Sequence, residues 1–280
     1  MRLAIVPVTQ LRNSNGERVI YALNRGSTAG YVSVMTLRTL KVLNSQQMTG
    51  GSPAHLALSL KDDFDSVANY AGSLSLFPLN FDGSVAAQSF IKTSPLVVRL
   101  SWTPKLQATF TVPCGCPGNE LLVYELDATK KTLTNTATVK CPPGSGSRHL
   151  AMHPKRDYFV VVVALLYRKF RLAPGFTNTS TAADIHFSSN EKFVYVSNRD
   201  DNSIVAYKVN ADGTLEALSW TSLRGVTPRS FIIYENLLIV ANQGSNDMYV
   251  SEVDGETGAL KYTGNSDAID EGVSLYVAEY

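Results

Sequence analysis

Long apolar runs are missing from this sequence. The longest, Phe159 to Leu166, is strand-sized and far short of the roughly 18 residues of a membrane span. An excess of one charge is missing too, since 25 Lys and Arg face 24 Asp and Glu and no run of like charge stands out. That excludes the basic footprint of a nucleic-acid binder and the polybasic face of a membrane-surface protein. Cysteine is scarce: Cys114, Cys116 and Cys141 are an odd number with no zinc-site spacing. They read as reduced thiols of a cytoplasmic protein, in which the sequon at Asn178 carries no meaning. The opening MRLAIVPVTQLR has too short an apolar core for a secretory leader. The DxDxDG spacing of a calcium loop is absent, and so is helical spacing of apolar residues across 181–264.

What is present over those residues is one unit written twice. TAADIHFSSNEKFVYVSNRDDNSIVAYKVNADGTLEAL is followed by TPRSFIIYENLLIVANQGSNDMYVSEVDGETGALKYTG. Each copy has a short apolar strand, a turn, a hydrophobic strand ending on Asn, a polar turn, an alternating strand and a terminal turn. Asn198 and Asn242 set the period at 44 residues. A period in the forties filled by four short strands is that of a β-propeller blade.

Further landmarks follow upstream. Asn24 and Asn69 stand 45 residues apart, and a further 45 lead to Cys114 in an eroded repeat. A fourth repeat begins at GSGSRHLAMHPKRDYFVVVV, where Val163 takes the landmark place. Only 35 residues separate Val163 from Asn198, so the segment 164–176 replaces two strands. A blade lacking a strand is expected there, with Pro174-Gly175 in a surface loop. Ahead of Asn15 there is room for one or two strands. The fold class is therefore all-β, with residues 1–280 a single propeller of four-stranded blades and six recognisable repeats. It is six-bladed, or seven-bladed with a reduced first blade. An incomplete ring would expose a blade edge and self-associate. The pairs Asp82-Gly83, Asp212-Gly213 and Asp254-Gly255 read as turns with glycine supplying positive φ.

Chemistry is expected where equivalent places hold different residues. One slot at the start of the first strand reads Ala54, Arg148, Ala183 and Arg229, and the next reads His55, His149, Asp184 and Ser230. In a propeller the first strand of each blade lines the channel, so a slot that is apolar in some blades and charged in others lines a site. Arginine suits it because its rigid fork grips a carboxylate or phosphate with two hydrogen bonds. The landmark asparagines Asn69, Asn198 and Asn242 either bind substrate or satisfy turn backbone. His153, before Pro154, reads as a turn residue. His186, two places after Asp184, leaves the strand on the same face, a pairing that could serve proton transfer.

At these residues the sequence resembles the bacterial-type 6-phosphogluconolactonase family of seven-bladed propellers, relatives of the fungal carboxymuconate-lactonizing enzymes. The matching stretches are GGSPAHLALS with ANYAGSLSLFPL, PPGSGSRHLAMHP, ADIHFSSNEKFVYVSNR and TPRSFIIYENLLIVANQ. The resemblance implies hydrolysis of a sugar lactone to the open-chain acid with no metal and no organic cofactor. The arginine of the family's GPRH motif falls on Arg148, behind Ser147 instead of proline, and that of its PRxF motif falls on Arg229. The chain departs from the pattern elsewhere. A family HxH motif reads Val98-Arg99-Leu100, a glutamate falls at Ala164, and an aspartate falls at Cys114.

Three functions are thereby open. The first is lactone hydrolysis, with Arg148, His149 and Arg229 catalytic and His55, Asn69, Asp184, Asn198, Arg199 and Asn242 around a sugar lactone or organic anion. The second is a non-catalytic propeller binding a ligand or protein. The third is a muconate-type cycloisomerase using the same arginines on a dicarboxylate.

Overall fold

The computed structural model describes residues 2–6, 16–25, 30–49, 52–59, 63–69, 72–93, 97–102, 108–113, 120–141, 147–155, 159–163, 180–270, 272 and 274–275. Regular structure among them is all β, in six antiparallel meanders. The first sheet is β1 (Arg2–Val6), β2 (Val19–Arg25), β3 (Gly30–Thr36) and β4 (Val42–Met48). The second is β5 (Pro53–Leu58), β6 (Phe64–Asn69), β7 (Ser73–Pro78) and β8 (Phe90–Thr93). The third is β9 (Val97–Trp102), β10 (Ala108–Pro113), β11 (Glu120–Asp127) and β12 (Thr132–Lys140). A fourth pairs β13 (Ser147–Met152) with β14 (Phe159–Val163). The fifth is β15 (Ala182–Phe187), β16 (Phe193–Asn198), β17 (Ser203–Val209) and β18 (Leu215–Ser222). The sixth is β19 (Pro228–Tyr234), β20 (Leu237–Asn242), β21 (Asp247–Val253) and β22 (Leu260–Ala268).

Each sheet is one of the repeats read from the sequence. The single strand β1 ahead of Asn15 gives the first sheet its full four strands. The segment 164–176, the Pro174-Gly175 pair, Asn178, Ala164, Cys114 and Cys116 lie outside the described residues. The chain divides into two compact units, Met1–Gly144 and Ser145–Tyr280.

In the first unit β5 lies against β2 and β9. Val19, Tyr21, Val32 and Val34 meet Leu56, Val67 and Phe77 in one cluster, and Phe64, Ala68 and Leu76 meet Tyr124 and Leu126 in another. The second unit repeats the scheme. Tyr195 and Ile204 pack with Phe231 and Val240, while Val194 and Val196 face the cluster that Ala151 and Val160 complete. Because sheets cover both faces, β6 and β16 are buried at every position. That is why β16 opens on an unbroken apolar run, Phe193 to Val196, instead of an alternating one, whereas β6 buries Asp65 and Ser66 in the same setting. The fourth strands β12 and β22 are largely exposed and correspondingly polar, while β4 and β18 mix exposed and half-buried positions.

One contact recurs in both units. Tyr21 donates its hydroxyl to the Gly83 carbonyl at 2.7 Å, and Tyr195 donates to Gly258 at 2.9 Å. Each joins the second strand of one sheet to the turn after the third strand of the next. Gly83 has the positive φ expected of its Asp-Gly turn, +79°. In the last turn the expectation is corrected: Gly258 at +73° takes the left-handed place, not Gly255, because the turn runs through five residues from Asp254.

Candidate functional site

The slot picked out by repeat alignment is a β-bulge in every sheet where it occurs. Ladder register shifts between Pro53 and His55, between Ser147 and His149, between Ala182 and Ile185, and between Pro228 and Ser230. The extra residues are Ala54, Arg148, Ala183 with Asp184, and Arg229. A bulge leaves its residue out of the ladder and re-aims the side chain, which is how a strand end presents a functional group. Ahead of two of these bulges Ser52 and Thr227 take φ of +59° and +60°. The Thr227 amide is held there by Asn202 Oδ1 at 2.8 Å.

Within the second unit the bulges converge on Asp184. Its Oδ1 accepts from His149 Nδ1 at 2.9 Å and from the Ile185 amide at 3.0 Å. Its Oδ2 accepts from Ser230 Oγ at 3.1 Å and the Phe231 amide at 3.4 Å. His186 Nε2 lies 3.4 Å from the same oxygen, at ion-pair distance but without hydrogen-bond geometry. The Asp184 amide donates to Ser197 Oγ at 3.1 Å. One carboxylate thus ties β13, β15 and β19 together. Its side chain is 5% exposed, against 14% for His149 and 29% for His186. Burial works against the charged form, but His186 and then His149 outweigh it and hold the carboxyl well below the usual carboxylate range. The buried Arg148 donates to the Ala183 carbonyl, which locks its guanidinium beside this group. Arg229 donates from Nη1 to Gln243 Oε1 at 3.0 Å.

Such a cluster can hold the His149 imidazole in one tautomer. The sequence profile described as Lactonase, 7-bladed beta-propeller, matches residues 4–166 and 163–277. The chain belongs to that lactonase family. A 6-phosphogluconolactonase of Bacillus subtilis (strain 168) is 28% identical over 90% of this chain and 82% of its own length. One of Formosa agariphila is 28% identical over 86% of this chain and 78% of its own. Among solved structures, the Pseudomonas aeruginosa periplasmic gluconolactonase PpgL superposes with a TM-score of 0.82 at 24% identity, covering 93% of this chain and 85% of that one.

In this family member the remaining sequence-predicted residues fall into separate places. Asn69, Asn198 and Asn242 are fully buried at the ends of β6, β16 and β20. Their amide nitrogens donate to Ser73 at 3.0 Å, Ser203 at 3.2 Å and Asp247 at 2.9 Å, across the hairpin to the next strand. Each braces its own hairpin, Asn69 in the first unit, and Asn198 directly follows Ser197, whose hydroxyl accepts from the Asp184 amide. His153 is likewise a buried turn residue, accepting at Nδ1 from the Lys155 amide at 3.1 Å and set edge-on to Phe187. His55 sits half-buried on β5, in the first unit, and Val98-Arg99-Leu100 lie in β9.

Arg199 and Gln243 occupy one equivalent place, directly after the landmark Asn. Each is tied by its amide to the residue ahead of the first strand, Thr181 at 3.0 Å and Thr227 at 2.9 Å. Gln243 uses that place to hold Arg229. Arg199 keeps a buried Nε with no hydrogen-bond partner. Sequence reading missed Gln243 and Ser197. The position after the landmark Asn, polar in both clear repeats, is the signal that would have found Gln243.

Proposed function

We propose that this chain opens a sugar lactone with water, and that the lactone is 6-phosphogluconolactone, released as 6-phosphogluconate. Family membership supports the reaction class, and the names of its relatives support the substrate. The observation that carries the reading is the part-buried His149–Asp184 hydrogen bond, with Arg148 on the neighbouring Ala183 carbonyl and Arg229 next in sequence to Ser230, which also bonds Asp184.

Donation of the Nδ1 hydrogen to Asp184 puts the basic lone pair of His149 on Nε2. There the imidazole takes a proton from a water whose oxygen bonds to the lactone carbonyl carbon. Arg148 and Arg229 stabilise the oxyanion that forms. Collapse breaks the ring C–O bond, and His149 returns its proton to the departing alkoxide. Atoms and charge balance without any further reagent. Arg199, with an unused buried Nε, is assigned to the anionic end of the substrate. A phosphorylated sugar suits the cytoplasmic location expected from the sequence.

A second reading, a propeller that binds without catalysis, draws on how fully Asp184 is engaged in joining three strands. NMR observation of lactone opening separates the two. Acid appearing faster than by spontaneous hydrolysis, and slower in Arg148→Lys and Arg229→Gln, supports the first reading. Product binding without acceleration supports the second.

A further inference from the structure

The mechanism above uses one histidine, yet two share the carboxylate. His149 comes from β13 and meets Oδ1; His186 comes from Asp184's own strand and stands by Oδ2. The His186 ring is fixed there, edge-on to Phe231 with centroids 4.9 Å apart and planes at 73°. Among the described residues Ser197 of β16 and Ser230 of β19 also bond Asp184, Arg148 of β13 sits on the adjoining Ala183 carbonyl, and Arg229 is next to Ser230 in sequence. Asp184 is the acid that both rings address. A single buried anion cannot neutralise two cations, so a proton on either ring disfavours a proton on the other.

We propose that His186 is a positioning residue that sets the charge state of His149: by competing for Asp184, it makes His149 shed its proton and become the base at lower pH than it would alone. The catalytic consequence rests on the proposed function; the coupling itself does not. His186 need not touch substrate.

The sequence has four histidines, His55, His149, His153 and His186, so ring resonances of the histidine-labelled full chain can be assigned one by one. In the unsubstituted protein the His149 titration is expected to be broader than a single simple step. His186→Gln is expected to move the His149 midpoint upward by about 0.5–1 pH unit, as expected for a like charge removed from a partly screened site. The acid limb of the kcat/KM profile should move with it. Should His186→Gln not fold, His186→Phe preserves the ring packing on Phe231. A single simple His149 step in the unsubstituted protein, or an unmoved His149 midpoint in a folded variant, would overturn the proposal. A moved midpoint in a protein that opens no lactone would uphold the coupling and sink the proposed function instead.

Discussion

His149 and Asp184 are 35 residues apart in the chain and 2.9 Å apart in space. The pair exists only because the first strands of two successive sheets lie side by side, each bulged at the same point. Neither repeat could make it alone.

Replacing Asp184 by Asn should therefore cost stability as well as activity. Breaking a buried, charge-assisted group of this kind costs about 3 kcal/mol. The folded carboxyl is held below its ordinary value, so its contribution is complete above pH ~3.9 and is lost as the pH falls through the lower folded value. Denaturant titrations of parent and Asp184→Asn should differ most near neutrality and converge in strong acid. A gap independent of pH would contradict this.

Gln243 holds Arg229 through one hydrogen bond, and its removal should loosen the guanidinium without unfolding the sheet. Gln243→Ala is expected to lower kcat/KM by about tenfold, the size of one charge-assisted hydrogen bond. Thermal stability should change little. Steady-state kinetics with a melting curve on the same preparation checks both halves.

The fold was legible because β16 and β20 carry unbroken apolar runs ending on Asn, FVYVSN and LLIVAN. Val194 and Val196 face one cluster while Tyr195 faces the other. The fourth strands were harder to see, since an exposed strand such as β12 has little apolar pattern to show. Alignment of the repeats found the slot of Arg148 and Arg229 but not its bulge, which changes the direction of a side chain without changing the spacing. It also paired Asp184 with His186 by strand alternation, whereas the shorter contact is with His149 across the sheet boundary.

Asp65 is the least comfortable residue of the first unit. It is fully buried, neither carboxyl oxygen has a hydrogen-bond partner, and burial holds its pKa well above the usual value. Aligned on the landmark Asn, the same place holds Val194 and Leu238, both buried. Asp65→Val should stabilise the protein by about 1–3 kcal/mol at neutral pH. A raised folded pKa means a penalty that grows as pH rises above ~3.9, so the gain should be smallest in acid. Chemical denaturation at several pH values measures it.

The Tyr195–Gly258 contact makes a paired prediction. Tyr195→Phe removes one buried hydrogen bond, worth about 1–2 kcal/mol. Gly258→Ala should cost more, because φ is +73° and the new Cβ would stand 2.7 Å from the Phe193 ring. Melting temperatures that rank the two variants the other way round would show that the contact is misjudged.

The central claim is that His149, braced by Asp184, is the base that opens a lactone. Its most direct test is the rate at which purified protein hydrolyses 6-phosphogluconolactone, beside folded His149→Asn and a protein-free control. The account predicts clear acceleration by the parent and a loss of roughly 10²–10⁴-fold in the variant. A parent no faster than the control, or a variant as fast as the parent, would contradict it.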